Sequence, residues 1–545
     1  MRNYINKFTE KYSLTKKYSK ANSNLDWIIP SIVLFSILLL YFCVIPDTQN
    51  LIAHDEGLYA RRAKLILETN DWFTPFVQAH HKTVGSYWLI AFSFKVFGNN
   101  EFAARFPSII LSFVCLFLVY SISSEIFNRR VGLLSSSLLF STPLWIQYSR
   151  YASPDIPYLL LILLSNYFII KASNYIGNIR SSCYYFFFAF SLSLAFFIRS
   201  YMVFIPILAI FPFCFLQIRN SPNKAHFWMI PGLIIGLIPT YMNLILANDK
   251  YGLESISLLF NFAKEKAIDT TSLDSFLFAT LKFVYLSYPV SIIFIILILF
   301  TKTKPNNQFY YLTHIYPLII LFLLSIMSNT YPHYYLILLP SLSIIVARYI
   351  DVCYTRKRIN NIYRYFIIVF FLITITLLLA IALLINNTSI VSSNEKYIVT
   401  SILVSLAFFH VLSIIYLFKY KKITLHSLSK VAFLLSFPQL LSLSFLYNIG
   451  IIGNPNKNIK PFINDSLVSD IISINNVYLY NLSSKTKTLL GFYLPRARFS
   501  TIEPDFKSIT YMITADKTLI SELQKKDFQV KIISSFDNNY LIRLN

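Results

Sequence analysis

The sequence predicts a polytopic α-helical membrane protein with about thirteen spans and a small α/β domain at its C-terminal end. Three observations carry this prediction. Hydrophobic residues make up 56% of the 545 and charged residues only 13%. The apolar residues are gathered in runs long enough to cross a bilayer, and from Gly453 onward those runs give way to short β-rich and helical segments.

Residues 1–26 are polar and basic and form a cytoplasmic N-terminal segment. The first apolar run lacks a small-residue cleavage site and so reads as an anchor, not a removed leader. Spans of about 17 to 24 residues are predicted at 27–45, 106–127, 131–149, 155–170, 182–198, 201–218, 227–247, 277–300, 309–327, 334–350, 365–385, 397–418 and 430–452. Residues 27–452 thus form the transmembrane domain, and 453–545 the α/β domain. In that tail Val477 to Tyr480, Ile509 to Thr514, Phe528 to Phe536 and Tyr540 to Leu544 are β-rich. Lys485 to Tyr493 and Asp516 to Lys526 read as helices.

An odd number of spans puts the termini on opposite sides. Arg2, Lys7, Lys11, Lys16, Lys17 and Lys20 precede the first span, Arg129 and Arg130 follow the second, and Arg348, Arg356, Lys357, Arg358 and Arg364 follow the tenth. Basic clusters mark cytoplasmic loops, so the N-terminus is cytoplasmic and the C-terminal domain lies on the outward side. The outward side then receives loop 46–105, the turn Arg150 to Asp155, loop 248–276, the turn Ser328 to Tyr334, loop 386–396 and the tail. The net charge of +23 is scattered in these short clusters, which excludes a nucleic-acid partner and leaves membrane lipids as neighbours. Cys43, Cys115, Cys183, Cys214 and Cys353 fall in or beside apolar runs without metal-type spacing, so no disulfide framework or zinc site is indicated.

Charges this close to a bilayer mark function by default, and they concentrate in loop 46–105. Asp55 or Glu56, at the start of a helix, would be held ionised by its positive end and could accept a proton from an acceptor hydroxyl; a plain N-cap is the competing reading. Lys82 is a point charge suited to a phosphate. His80 and His81 could bind a divalent metal, although adjacent residues do not share a helix face. Asp155 opens a span, either as a cap answering Arg150 or as a second active-site carboxylate. Between spans nine and ten, Tyr331, His333, Tyr334 and Tyr335 are belt residues or hydrogen-bond donors to a phosphate or sugar.

Together these stretches resemble the GT-C membrane glycosyltransferases, in particular the protein-mannosyltransferase-like family related to lipid A aminoarabinose transferase. The matching residues are Asp55-Glu56-Gly57 with Tyr59-Ala60, Asp71-Trp72 with Thr74-Pro75, and Lys82 with Tyr87-Trp88. Phe97-Gly98 with Glu101 to Arg105, Asp155, and Tyr331-Pro332-His333-Tyr334-Tyr335 with Pro340 complete the set. The resemblance implies a GT-C fold and transfer of a sugar from a polyprenyl-phosphate donor to a lipid, glycan or protein acceptor outside the membrane. It implies Asp55 as base or acceptor-positioning carboxylate and Asp155 as second acid. Lys82, Tyr335 and Arg150 would hold the lipid phosphate, with Glu56, Tyr59 and His333 also contacting substrate. Relatives typically show Glu-Lys-Pro-Pro where this chain has His81-Lys82-Thr83-Val84, an Arg at Leu58, and Lys-Gly-Pro at Arg199-Ser200-Tyr201. Loop 248–276 has no His for a metal, so a divalent cofactor and the role of His81 stay open. A lipid-linked sugar flippase and an inactive homologue serving as a binding module are the alternatives.

Overall fold

The computed structural model describes residues 50–52, 56–80, 82–175, 179–220, 224–267, 273–288, 309–327, 331–355, 360–387, 393–419, 458–499, 509–526 and 528–544, with single positions at 290, 291, 294, 442, 446 and 506. The predicted span 27–45 lies outside them, as does 430–452 apart from positions 442 and 446, and so do Asp55 and His81.

The described chain is mostly helical. Helices α1 (Leu58–Thr69), α2 (Gly85–Phe97), α3 (Glu101–Ile126), α4 (Arg129–Phe140) and α5 (Pro143–Tyr148) come first. They are followed by α6 (Asp155–Asn174), α7 (Ile179–Arg199), α8 (Phe204–Asn220), α9 (Met229–Tyr251), α10 (Glu254–Ala267) and α11 (Leu273–Leu286). Beyond these lie α12 (Tyr316–Ser325), α13 (Leu339–Thr355), α14 (Asn360–Asn387) and α15 (Ser393–Lys419). Six stretches among the described residues are long and apolar enough to cross a membrane: Glu101–Ile126, Asp155–Asn174, Ile179–Arg219, Lys224–Tyr251, Pro332–Val352 and Glu395–Leu412.

Two expectations change. The run 131–149 is not one helix but α4 and α5, broken at Ser141-Thr142, where the Thr142 hydroxyl caps the Trp145 amide and Pro143 restarts the helix. Loop 46–105 is structured, because α1 and α2 bury Tyr59, Ala60, Ala63, Ile66, Tyr87 and Ile90 on facing sides. Helix α9 crosses α7 at Gly232 and Gly236: a Cβ at Gly236 would lie 2.8 Å from the Phe190 carbonyl oxygen, and one at Gly232 would collide with that of Phe186. Only glycine lets these backbones approach so closely.

The C-terminal region holds α16 (Ile459–Asn464), α17 (Ser466–Ile474), α18 (Ser484–Tyr493) and α19 (Lys517–Lys525). Its strands are β1 (Val477–Tyr480), β2 (Ala497–Phe499), β3 (Tyr511–Thr514), β4 (Val530–Phe536) and β5 (Asn539–Leu544). They form one sheet in the order β2-β1-β3-β5-β4, parallel across β2, β1 and β3 and antiparallel across β3, β5 and β4. Leu489, Leu490 and Phe492 of α18 share an apolar core with α1 and α2. Polar ties reinforce the seam. The Tyr493 hydroxyl accepts from the Leu51 amide and donates to Glu101, both at 3.0 Å, and Lys460 pairs with the same Glu101 carboxylate at 2.7 Å. Lys64 donates to the Phe492 and Leu494 carbonyls at 3.0 and 3.2 Å. The α/β domain is therefore seated directly on the helices that carry the candidate site.

Candidate active site

A cavity of about 760 Å³ opens where the segment around Lys82, the turn before α6, the end of α7 and residues 331–334 meet. One part of its wall is polar, with Tyr59, Lys82, Asp155, Arg199, His333 and Tyr334; the rest is apolar, with Ile198, Phe204, Leu208, Leu323 and Ile326. This combination suits a molecule with a charged head and a hydrocarbon tail.

Lys82 reaches the cavity from the turn before α2. Its ammonium donates to the Tyr59 hydroxyl at 3.3 Å and stands 5.4 Å from the centre of that ring, so the amphipathic phenol holds the cation by an edge bond and a face. Tyr59 in turn lies 5.4 Å from Tyr87, whose hydroxyl accepts from Arg62 at 2.7 Å. Burial pushes the Tyr87 phenol up in spite of Arg62, which keeps it a neutral hydroxyl.

Asp155 is the first residue of α6, with Pro154 at the cap position and no side-chain cap bond. The cation facing it is Arg199, at the end of α7, and the two form an ion pair at the cavity wall. The Arg199 guanidinium also lies 5.4 Å from the Tyr334 ring and 5.7 Å from that of Tyr158. A planar guanidinium stacked on aromatics and paired with a carboxylate has little freedom left to reorganise. His333 shares a hydrogen bond of 3.4 Å with the Tyr148 hydroxyl, stacks on Tyr331 at 5.7 Å and meets Tyr334 edge-on at 4.7 Å.

The structure thus brings Tyr59, Lys82, Asp155 and His333 to one cavity, and places three other expected site residues elsewhere. Glu56 is fully buried: Arg105 Nε and Nη2 donate to its two oxygens at 2.7 Å each, and the Ile52 and Ala152 amides add bonds of 3.1 and 3.2 Å. Its oxygens serve as a tie between α1, α3 and the turn before α6, not as a substrate contact. Tyr335 points to the far side, where its hydroxyl meets Thr280 at 3.3 Å and its ring stacks on Phe283 at 5.0 Å. Arg150 is buried next to the turn and is not among the residues lining the cavity. Arg199 and Tyr148 join the site without having been singled out for it. An arginine closing a long apolar run was the available signal, since an ionisable group at that depth marks a functional position. Among the described residues no three His, Cys, Asp or Glu side chains converge as metal ligands.

The family model described as dolichyl-phosphate-mannose-protein mannosyltransferase matches residues 81–245. Among curated relatives, an undecaprenyl phosphate-alpha-4-amino-4-deoxy-L-arabinose arabinosyl transferase of Wigglesworthia glossinidia brevipalpis is 27% identical over 125 residues, 22% of each chain. One of Pseudomonas fluorescens is 27% identical over 144 residues, 26% of this chain and 25% of the relative. An uncharacterized protein of Aquifex aeolicus is 31% identical over 140 residues, 25% of this chain and 28% of the relative. These matches span about a quarter of the relatives' length. ArnT from Cupriavidus metallidurans, in a crystal structure bound to undecaprenyl phosphate, superposes with a TM-score of 0.76 at 13% identity, covering 96% of this chain and 98% of that one. Over residues 81–245 the chain is similar to the protein-mannosyltransferase-like membrane glycosyltransferases, and its fold is that of the ArnT structure. The matched stretch carries three of the cavity's charged residues, Lys82, Asp155 and Arg199.

Proposed function

We propose that this protein is an inner-membrane glycosyltransferase that moves a sugar from a polyprenyl-phosphate donor to an envelope acceptor on the periplasmic side. The acceptor is lipid A, another glycan or a protein. The observation that carries the reading is the single cavity in which Lys82 and Arg199 stand beside an apolar wall. A prenyl chain would lie along Phe204, Leu208 and Leu323, and its phosphate would lie between the two cations.

In the reaction the bond between the sugar's anomeric carbon and the phosphate oxygen breaks while the acceptor oxygen bonds to that carbon from the opposite face. The acceptor hydroxyl gives its proton to a carboxylate, for which Asp55 is the candidate from sequence. The departing polyprenyl phosphate gains negative charge, and fixed cations in a water-poor site lower that barrier most. Lys82, held by Tyr59, and Arg199, held by Asp155, are the cations in place for it. Asp155 acts on this reading by orienting Arg199.

Mass spectrometry of envelope glycolipids and glycoproteins, with and without the protein, tests the reading. A species heavier by one sugar residue that needs the protein, and that is lost in Asp55→Asn and Lys82→Ala with expression intact, is the expected result. Identical profiles from expressing and deleted cells under conditions of donor synthesis would remove it.

A further inference from the structure

The segment carrying Lys82 and the end of the helix carrying Arg199 are joined by a buried polar contact. The Thr83 amide donates to the Ser200 hydroxyl at 3.3 Å, the two hydroxyls lie 3.1 Å apart, and the Thr83 hydroxyl donates to the Phe196 carbonyl at 3.3 Å. Thr83 and Ser200 are 2% and 5% exposed, so these bonds are not shared with bulk water. Directly beside them the backbones touch: a Cβ at Gly85 would lie 2.5 Å from the Phe197 ring and 2.6 Å from its carbonyl oxygen. Ser200 has a φ of +49°, a left-handed conformation that a non-glycine residue holds only when its surroundings impose it.

The contact is a lock between the two elements, in which Thr83 supplies the amide hydrogen and Ser200 the hydroxyl that receives it.

We infer that Thr83 and Ser200 act as one positioning pair, which fixes Lys82 and Arg199 relative to one another in the cavity wall so that both meet a single lipid phosphate. Neither residue takes part in bond making; each acts through the cation next to it in the chain. The inference rests on the lipid-phosphate reading of the cavity.

The test uses the full-length protein in nanodiscs, with undecaprenyl phosphate and undecaprenol as probes. The alcohol keeps the prenyl chain and lacks the phosphate. Wild type should prefer the phosphate. Ser200→Gly, which removes the hydroxyl and relieves the backbone, should weaken undecaprenyl phosphate binding roughly three- to tenfold, the worth of one or two hydrogen bonds. Undecaprenol binding should not move. Thr83→Val should show the same selective loss and Thr83→Ser should restore affinity. The double variant Thr83→Val with Ser200→Gly should be no worse than the poorer single one, because residues acting as a unit are not additive. Unchanged phosphate binding in Ser200→Gly, additive losses, or an equal loss for the alcohol would each overturn the lock while leaving the lipid-phosphate reading in place. A wild-type protein that binds alcohol and phosphate alike would overturn both.

Discussion

Glu56 and Asp155 are both buried carboxylates facing an arginine, yet they differ in what lies around them. Glu56 and Arg105 satisfy each other and three backbone groups and do not line the candidate cavity, whereas Asp155 and Arg199 form part of its wall. Removing one partner of a fully buried pair leaves an uncompensated charge and costs about 3–5 kcal/mol. Glu56→Ala should therefore lower the thermal unfolding temperature in detergent sharply and reduce the yield of monodisperse protein. Asp155→Asn should unfold within a few degrees of wild type yet lose transfer. A stable but inactive Glu56→Ala would return that residue to substrate contact. Asp71 makes a second residue-scale case. Its carboxylate accepts from the Phe73 and Thr74 amides at 3.1 and 2.8 Å, from the Thr74 hydroxyl at 2.7 Å and from Lys250 at 3.3 Å. Partial burial pushes the carboxyl up, but the bonds from Thr74, Phe73 and Lys250 outweigh it and hold the group below its usual range. A depressed folded value means that Asp71 stabilises the turn above its unfolded pKa of about 4, and that this contribution fades as the pH falls through the folded value. Tryptophan fluorescence from Trp72 and Trp88, whose indole N–H donates to the Trp72 carbonyl, should show a step below about pH 4 that is missing in Asp71→Asn.

At the scale of elements, the sequence showed the long helices plainly because nothing interrupts their apolar runs, and α6 begins at the predicted Asp155. It hid what depends on contact. Tyr335 and His333 are two residues apart in one motif, but the 3₁₀ turn at Pro332–Leu338 sends them to different sides, a difference that periodicity alone does not register. The Thr83 to Ser200 contact spans 117 positions and had no local trace. The glycines at 232 and 236 were not singled out in the sequence either, and their contacts explain the α7 to α9 crossing. That crossing has a bearing on the site: α7 ends on Arg199, while Asn243 and Tyr251 of α9 donate to the Phe73 and Thr74 carbonyls of the segment leading to Lys82, at 2.7 and 3.0 Å. Gly232→Leu should force the helices apart at a cost of about 1–3 kcal/mol, read as a lower unfolding temperature. If the crossing also sets the distance between the two cations, the Kd for undecaprenyl phosphate should rise with it. An unaltered unfolding temperature would show that the backbones are not in contact there.

Across the described residues, the basic positions Arg129, Arg130, Lys171 and Arg348 and the cavity lie at opposite ends of the helices. Lys171 pairs with Glu125 at 2.8 Å, Arg130 with Asp351 at 3.3 Å, and Arg348 stands 5.0 Å from the Phe127 ring, so the ends of α3, α6 and α13 gather at one pole. The other ends of α3 and α6, with Arg105 and Asp155, gather with the cavity and the α/β domain at the other. Cytoplasmic loops are enriched in Lys and Arg, so the pole holding Arg129, Arg130, Lys171 and Arg348 should face the cytoplasm and the α/β domain the periplasm. The prediction is checked in a variant with all five cysteines replaced by alanine. Into it a single cysteine is placed at Asn538, exposed in the turn between β4 and β5, or at Asn174, exposed at the end of α6. A membrane-impermeant maleimide added to intact spheroplasts should label Asn538→Cys and spare Asn174→Cys until the membrane is opened. The reverse pattern would put the cavity on the cytoplasmic side. Labelling of both would mean that the chain inserts in two orientations, which the one-sided charge at the first pole argues against.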